Sequence, residues 1–392
     1  MLYSDCIEKL LQLEDVIVTN IESFNNEIHI YLRMQRRFHH CPVCGALTSK
    51  VHDYRTQLVK DVSICGLNTI LHLRKRRHVC PHCTKRFYEK IDFLPKYHRF
   101  TNRVFMQVFE QLKDCRSIKG IAKANNMSAP TAAKIVNLIE HNPVKLPQVL
   151  AIDEFRGNAE GERFQCILAD PKNHKVLDIL PTRKHEDIYH YLGQFKNRND
   201  VKVVVMDMTG GYKSLMKRLF PDSVIVVDKY HYVRQVGFAI EKIRIEEQKK
   251  YSQHWRRYFK YSKRLLLKDS SKLTTNDRLQ LENIFRISKG LKTAYELKQQ
   301  FEHFKESKDK DEARLRLARF IVSAQDSDLQ PFIDVSFTFQ RWSKEILNSF
   351  EYPYTNGYIE GCNNRIKVLK RVSFGMPRFK RFRRRILHIM LN

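Results

Sequence analysis

The sequence predicts a chain of several domains: a small β module stapled by a metal, a helical hairpin, and an α/β domain interrupted by an all-helical stretch. Three observations predict it. Cys41-Pro-Val-Cys44 and Cys80-Pro-His-Cys83 form two matched pairs in the first hundred residues. Two short helical patterns follow, joined near Met127. From 148 to 231, apolar runs closed by aspartate alternate with helical patterns, and a long helical stretch and a basic tail complete the 392 residues. A chain of this length is expected to hold two or three domains. The boundaries read 1–95, 98–142, and 148–231 with 351–392, the stretch 232–350 being an all-α insertion.

The charge narrows the partner. There are 71 Lys and Arg against 43 Asp and Glu, a net charge of +28. Such a surplus repels itself and is best tolerated beside a polyanion. Phosphate contacts also release counterions, which drives nucleic-acid association. The composition argues against a membrane protein. No run of about 18 apolar residues is present and no secretory leader opens the chain, which reads as cytosolic. The cysteine count is odd, nine, with four in the two pairs and five scattered. In a reducing compartment that pattern favours metal binding over disulfides.

The first element is a zinc ribbon. A Cys-x-x-Cys turn points both thiolates at one metal, and a second turn completes a tetrahedral site. Gly45 suits the tight turn after the first pair, and Pro42 and Pro81 sit at the same place in each. Cys41, Cys44, Cys80 and Cys83 are therefore expected to hold one structural Zn²⁺. His39, His40, His78 and His82 lie close by and read as alternative ligands or, more simply, as phosphate-facing or exposed groups. The run Arg74-Lys75-Arg76-Arg77 leads into the second knuckle and is expected to touch the DNA backbone. Strand-like runs flank it at Val16–Asn20, Ile28–Leu32 and Ile70–Leu73.

The second element is a helix-turn-helix. Ile118, Ile121 and Ala122 share one face of a first helix; Ser128 can cap a second, with Pro130 in its first turn. The second helix is expected to run over 131–140 and to enter a major groove led by Ser128, Thr131 and Lys134.

The third element carries chemistry. Val149–Asp153, Phe164–Ala169, Val176–Leu180, Val201–Asp207 and Val224–Asp228 read as strands, and Glu186–Phe195 and Tyr212–Phe220 as helices. This order, βββαβαβ, is the ribonuclease-H-like layout, in which the first and fourth strands are neighbours. Asp153 and Asp207 would then meet at strand ends. Two carboxylates so close repel unless a cation lies between them. Hard cations prefer oxygen ligands, and a pair of Mg²⁺ ions about 4 Å apart fits phosphodiester chemistry. A third carboxylate is expected from a later helix: Glu360, with Asn356 as cap and Asn363, Asn364 and Lys367 on the same side. Asp228 is its rival, on a strand one place further from Asp153.

Taken together these stretches resemble bacterial insertion-sequence transposases of the DDE class, in the zinc-ribbon family named ISL-three. The resemblance covers nearly the whole chain. It rests on the cysteine ribbon, the helix-turn-helix, Ile152-Asp153-Glu-Phe, Met206-Asp207-Met, Asp228-Lys-Tyr-His231-Tyr-Val-Arg and Thr355-Asn-Gly-Tyr-Ile-Glu360-Gly-Cys-Asn-Asn-Arg-Ile-Lys367. It implies Asp153, Asp207 and Glu360 as a catalytic, Mg²⁺-binding triad, with Asp228 and His231 as the D-x-x-H signature beside it. It further implies binding to terminal inverted repeats and target DNA, cleavage and strand transfer. The assembly on DNA would be a homodimer or higher, in the bacterial cytoplasm at the nucleoid. It also implies that 232–350 is a helical insertion over the site, where Trp255 and Trp342 read first as ordinary helical core, with stacking on an unpaired base as the alternative. The basic tail is expected to leave the site as a helix gripping phosphates through Lys367, Lys370, Arg371, Arg383, Arg384 and Arg385, with Phe374, Phe379 and Phe382 interleaved. Two other readings compete. One is a zinc-ribbon and helix-turn-helix regulator whose nuclease-like domain is inactive; the other is a nuclease without strand transfer.

Overall fold

The computed structural model describes the backbone of residues 2–390 and the side chains of 7–253 and 256–390. The chain divides into two units, Met1–His141 with Arg365–Asn392, and Asn142–Asn364.

In the first unit, α1 (Leu2–Leu11) precedes the strands β1 (Val16–Phe24), β2 (Glu27–Met34), β3 (His39–His40), β4 (Leu47–Thr48), β5 (Val51–Ile64), β6 (Leu67–Val79) and β7 (Arg86–Tyr88). The sheet order is β1-β2-β6-β5, with β7 also pairing β6, and β3 and β4 form a separate ribbon. Both long hairpins turn on left-handed pairs, Asn25-Asn26 (φ 50° and 63°) and Cys65-Gly66 (φ 49° and 80°). Asn and Gly tolerate that region, and the resulting turn matches the strands' own twist. Leu11, Val16, Ile30, Leu32, Val59, Leu71, Leu73 and Leu94 fill the core beneath the sheet. Strand β6 runs on through the basic segment at 74–77, which the sequence reading left outside its strand.

Helices α2 (Asn102–Gln111), α3 (Ile118–Ala124) and α4 (Ala129–Val136) follow. Val104, Val108, Ile121, Ile135 and Val136 close a second small core. Helix α4 is shorter than the expected 131–140. Its last turn tightens, the Leu138 and Ile139 N–H groups bonding back to the carbonyls of Ile135 and Val136, and Leu138 is left exposed.

The second unit contains β8 (Val149–Phe155), β9 (Gln165–Asp170), β10 (Lys175–Leu180), α5 (His185–Gly193), β11 (Val203–Met206), α6 (Gly210–Leu219) and β12 (Val224–Val227). The sheet order is β10-β9-β8-β11-β12. Strands β9 and β10 are antiparallel, as are β8 and β9, whereas β11 lies parallel to both β8 and β12. The first and fourth strands of this sheet are neighbours, as the sequence predicts. The near-continuous Val/Ile/Leu runs in β8, β11 and β12 are buried, as a parallel sheet covered on both faces requires.

Seven helices come next: α7 (Lys229–Lys249), α8 (Gln253–Leu267), α9 (Thr275–Ile287), α10 (Lys289–Lys305), α11 (Lys310–Gln325), α12 (Gln330–Arg341) and α13 (Ser343–Asn348). Their core is aromatic: Phe301, Phe304, Phe320, Phe332 and Phe339 are all at most 2% exposed. Trp342 is a packing residue, 8% exposed, with the Lys213 ammonium 4.8 Å from its ring centre. The Trp255 side chain lies outside the described residues. The charged stretch at 305–316 straddles a helix break, Asp309 capping α11 by accepting the Asp311 and Glu312 N–H groups.

Helix α14 (Gly357–Val372) crosses the unit boundary, and α15 (Phe379–Met390) ends the described chain. Residues 365–392, expected with the catalytic domain, instead cluster with residues 1–141. The reason is apolar packing: Phe382, Ile386, Leu387 and Ile389 are buried, the His388 ring bonds the Phe109 carbonyl at 2.8 Å, and Arg383 donates to the His141 carbonyl at 3.0 Å. Arg385 departs furthest from a phosphate-gripping role. It is 0% exposed, and one Nη donates to the carbonyls of Asp114 and Arg116 at 2.8 and 2.9 Å.

Candidate active site and nucleic-acid interface

The two knuckles are built alike. After the first pair, the Gly45 N–H bonds the Cys41 carbonyl at 2.9 Å; after the second, the Thr84 N–H bonds the Cys80 carbonyl at 3.0 Å. Gly45 (φ 72°) and Thr84 (φ 56°) take the same left-handed turn. The four sulfurs converge, Cys41 Sγ to Cys83 Sγ and Cys44 Sγ to Cys80 Sγ both being 3.5 Å, and all four lie within 4.8 Å of one another. The Cys44 backbone N–H, above all, pulls the Cys41 thiol down to about 6, toward the thiolate that ligates metal. Four thiols at tetrahedral spacing fit a structural zinc ion.

Beside the ribbon, strand geometry sorts the basic run. Arg74 is exposed and lies over the Tyr54 ring at 4.3 Å. Lys75 donates to Gln57 Oε1 at 2.9 Å and sits over the Tyr88 ring. Arg77 is paired with Asp53 at 2.6 Å. Arg76, expected on DNA, is 5% exposed. Its guanidinium bonds Glu89 Oε2 at 3.2 Å and the carbonyls of Gln35 and Met34 at 3.1 and 2.7 Å. It holds the sheet together. On α4 the Ser128 hydroxyl caps the helix by accepting the Thr131 N–H, while Lys134 projects outward, exposed. On α14 and α15, Lys367 and Arg371 are exposed, and Lys370, Arg383 and Arg384 are half-buried.

The acidic centre sits in the second unit. Residues 203–205 of β11 pair with 149–151 of β8 in parallel register, so two residues further on Asp207 comes level with Asp153. Burial first and the Asp207 charge second push the Asp153 carboxyl up to about 6. His231, in the first turn of α7, reaches back with Nε2 2.9 Å from Asp207 Oδ1. That hydrogen bond raises the imidazole pKa above its usual value. Asp228 is buried, which raises its carboxyl pKa, and its Oδ1 accepts the Asn356 backbone N–H at 3.0 Å.

Helix α14 and the residue just before it meet both aspartates. Asn356 Nδ2 donates to Asp207 Oδ1 at 3.3 Å, and Asn363 Nδ2 donates to Asp153 Oδ2 at 2.9 Å. Seven residues, two helical turns, separate the two asparagines. Glu360 lies four after the first and three before the second, hence on the same face. Glu360 itself is exposed, and among the described residues it is not drawn into a compact cluster with the two aspartates. The sequence reading put Asn363 on the Glu360 side without giving it a task; the helical spacing was the available signal. Asp170, at another strand end, caps a turn through the Lys172 and Asn173 N–H groups. A pair of carboxylates in which burial and the neighbouring charge disfavour ionisation of Asp153 fits a hard divalent cation.

Comparison with known proteins gives the class first. Residues 37–83 match the model described as zinc-finger of transposase IS204/IS1001/IS1096/IS1165, and residues 89–139 the helix-turn-helix domain of transposase family ISL3. The chain is thus DNA-binding, of the transposase kind. Residues 150–386, more than half of it, match the transposase model of that family, and the chain belongs to the ISL3 transposase family. It is 26% identical over 358 residues to the transposase for insertion sequence element IS1001 of Bordetella parapertussis, covering 89% of this chain and 88% of that one. A shorter match, 29% identical over 120 residues, is to a Lactococcus lactis subsp. lactis protein named ATP-dependent protease, covering 31% of this chain and 36% of that one. That overlap is too short to carry an argument.

Proposed function

We propose that this transposase binds the terminal inverted repeats of a bacterial insertion sequence and cuts and joins DNA with Asp153, Asp207 and Glu360 as a DDE triad. The observation that carries the reading is that Asn356, just before α14, and Asn363 within it each bond one of the two aspartates, and helical spacing gives Glu360 their side. The strand order 3-2-1-4-5, numbered within the second sheet, supports a ribonuclease-H-like domain, and the helices from Lys229 to Asn348 supply its all-α insertion. Asp153, Asp207 and Glu360 would hold two Mg²⁺ ions. Bound there, the ions would supply charge neutralisation at a scissile phosphate and acidify the attacking hydroxyl. His231 orients Asp207, Asn363 orients Asp153, and Asp228 fixes the entry to α14. The ribbon, the helix-turn-helix and the exposed cations Arg74, Lys134, Lys367 and Arg371 would carry the DNA, two copies of the chain bridging two ends.

The test is a split. Asp207→Asn and Glu360→Gln are expected to lose Mg²⁺-dependent cleavage and strand transfer by several orders of magnitude and to bind terminal repeats nearly as before. Asp170→Asn, which touches only a turn, should stay active. Cleavage by Asp207→Asn at the rate of the unsubstituted chain would sink the triad. An unsubstituted chain that binds ends but never cuts in Mg²⁺ or Mn²⁺ would favour the regulator with an inactive nuclease-like domain. Cutting without joined products would favour the simple nuclease.

A further inference from the structure

Each knuckle is preceded by a histidine at the same place: His39-His-Cys41 and His78-Val-Cys80. The fold brings these two histidines together. Their ring centres are 4.6 Å apart, and they are 9% and 2% exposed. Glu89, 5% exposed, completes the group. One ligand atom from each of His39, His78 and Glu89 lies within 4.8 Å of the other two.

Three of the four ring nitrogens are left without good partners. His39 Nε2 and both nitrogens of His78 are buried with no hydrogen bond. A buried imidazole that makes no hydrogen bond forfeits the water it gave up, so native proteins seldom keep one. The backbone of Lys50 comes close to the His78 ring. A carbonyl there can take the N–H of one nitrogen, which leaves the lone pair of the other free and fixes its direction, as partners of metal-bound histidines do. Glu89 gives one lone pair of each oxygen to Arg76, at 2.7 and 3.2 Å, and keeps the others.

We infer that His39, His78 and Glu89 form a second metal site, distinct from the four cysteines, that takes a divalent transition-metal ion of the zinc type. Imidazole and carboxylate together suit such ions, with a water as fourth ligand. Tetrahedral coordination sets ligand atoms roughly 3.4 Å apart, so each moves inward by less than about 1 Å to close on one ion. The ion would join β3, the end of β6 and the residue after β7. It would thereby tie the small ribbon to the five-stranded sheet a second time, beside the cysteine site that joins the β3–β4 and β6–β7 turns.

Co²⁺ titration of the full-length, metal-stripped protein distinguishes the two sites. The cysteine site gives intense sulfur-to-cobalt absorption; a site of nitrogen and oxygen ligands gives only weak visible bands. The expected result is two equivalents, the first with the sulfur signature and the second without. His39→Gln and His78→Gln should each remove the second equivalent and leave the first. Saturation at one equivalent in the unsubstituted chain would overturn the assignment without recourse to any variant. So would a second equivalent that both variants retain, since it would then belong to surface histidines.

Discussion

Asp153 is destabilising in the metal-free chain, for the same reason that it is suited to a cation. Its carboxyl stands at about 6 against an unperturbed 3.8, raised by burial and then by Asp207. A group with a raised folded pKa binds its proton more tightly when folded, so metal-free stability should increase as pH falls from 7 through 6 and level off near the unfolded value. Asp153→Asn removes the charge and keeps an acceptor for Asn363. It is expected to stabilise the metal-free protein by about 1–2 kcal/mol at pH 7, after discounting for partial exposure, and to abolish cleavage. A melting temperature that falls instead would show that the carboxylate is not strained. Asn363→Ala leaves Asp153 in place but unheld at Oδ2. Loss of such a partner typically lowers metal affinity or activity 10- to 100-fold. Mg²⁺ affinity and cleavage should fall together, with end binding unchanged; unaltered Mg²⁺ affinity would remove Asn363 from the site. At this scale the two aspartates stand out in the sequence because each ends an apolar run, although β8 continues past Asp153 to Phe155. It did not show what holds them, because a hydrogen bond from a helix some two hundred residues away leaves no local pattern.

What packs against a strand decides which of its side chains are buried, and β6 shows how that overrules a charge run. The run Arg74-Lys75-Arg76-Arg77 is expected from the sequence to touch the DNA backbone. Extended backbone puts Arg74, Arg76 and His78 on one face of β6 and Lys75 and Arg77 on the other. Along that shared face Arg74 reaches solvent, whereas Arg76, bonded to Glu89 and to the Gln35 and Met34 carbonyls, and His78 are covered, at 5% and 2% exposure. The two arginines should therefore respond to different measurements. Arg74→Gln is expected to reduce the salt slope of DNA binding by about one contact with melting unaffected. Arg76→Gln leaves Glu89 buried and uncompensated, its side chain 1% exposed, and should destabilise the first unit by about 3–5 kcal/mol. An Arg76 variant that melts normally but binds with a smaller slope would return Arg76 to the DNA. The helices were more legible than this strand. Ser128 caps α4 as expected, because a cap is set by two or three neighbouring residues, and Ser117 caps α3 in the same way. The early end of α4 was not legible, since it depends on Leu138 finding no core to enter.

The order of domains along the chain is legible, but which segments pack into one unit is not. Ribbon, helical hairpin, α/β sheet and helical stretch follow one another as the residue patterns suggest, and a short connection normally joins neighbours in space. The last 28 residues break that expectation by clustering with residues 1–141. The signal was present in α15, where Phe382, Ile386, Leu387 and Ile389 form an apolar stripe amid arginines, yet a stripe does not name its partner. Arg385 is the clearest sign of the consequence. Burial lowers its pKa to about 10, and it satisfies two carbonyls, of Asp114 and Arg116, in the segment between α2 and α3. The helix-turn-helix should thus depend on the far end of the chain. Truncation after Gly375, where the chain turns at φ 95° before α15, removes that support and retains every ribbon and hairpin residue. Terminal-repeat binding is expected to weaken at least tenfold in the truncated protein, with an earlier first melting transition. Arg385→Ala should reproduce a milder form of both effects, at about 2–4 kcal/mol for two charge-assisted hydrogen bonds and the carbonyls they leave bare. The alternative, in which the tail acts only by gripping phosphates, predicts a reduced salt slope with melting unchanged, and fluorescence anisotropy over a salt series alongside calorimetry separates the two.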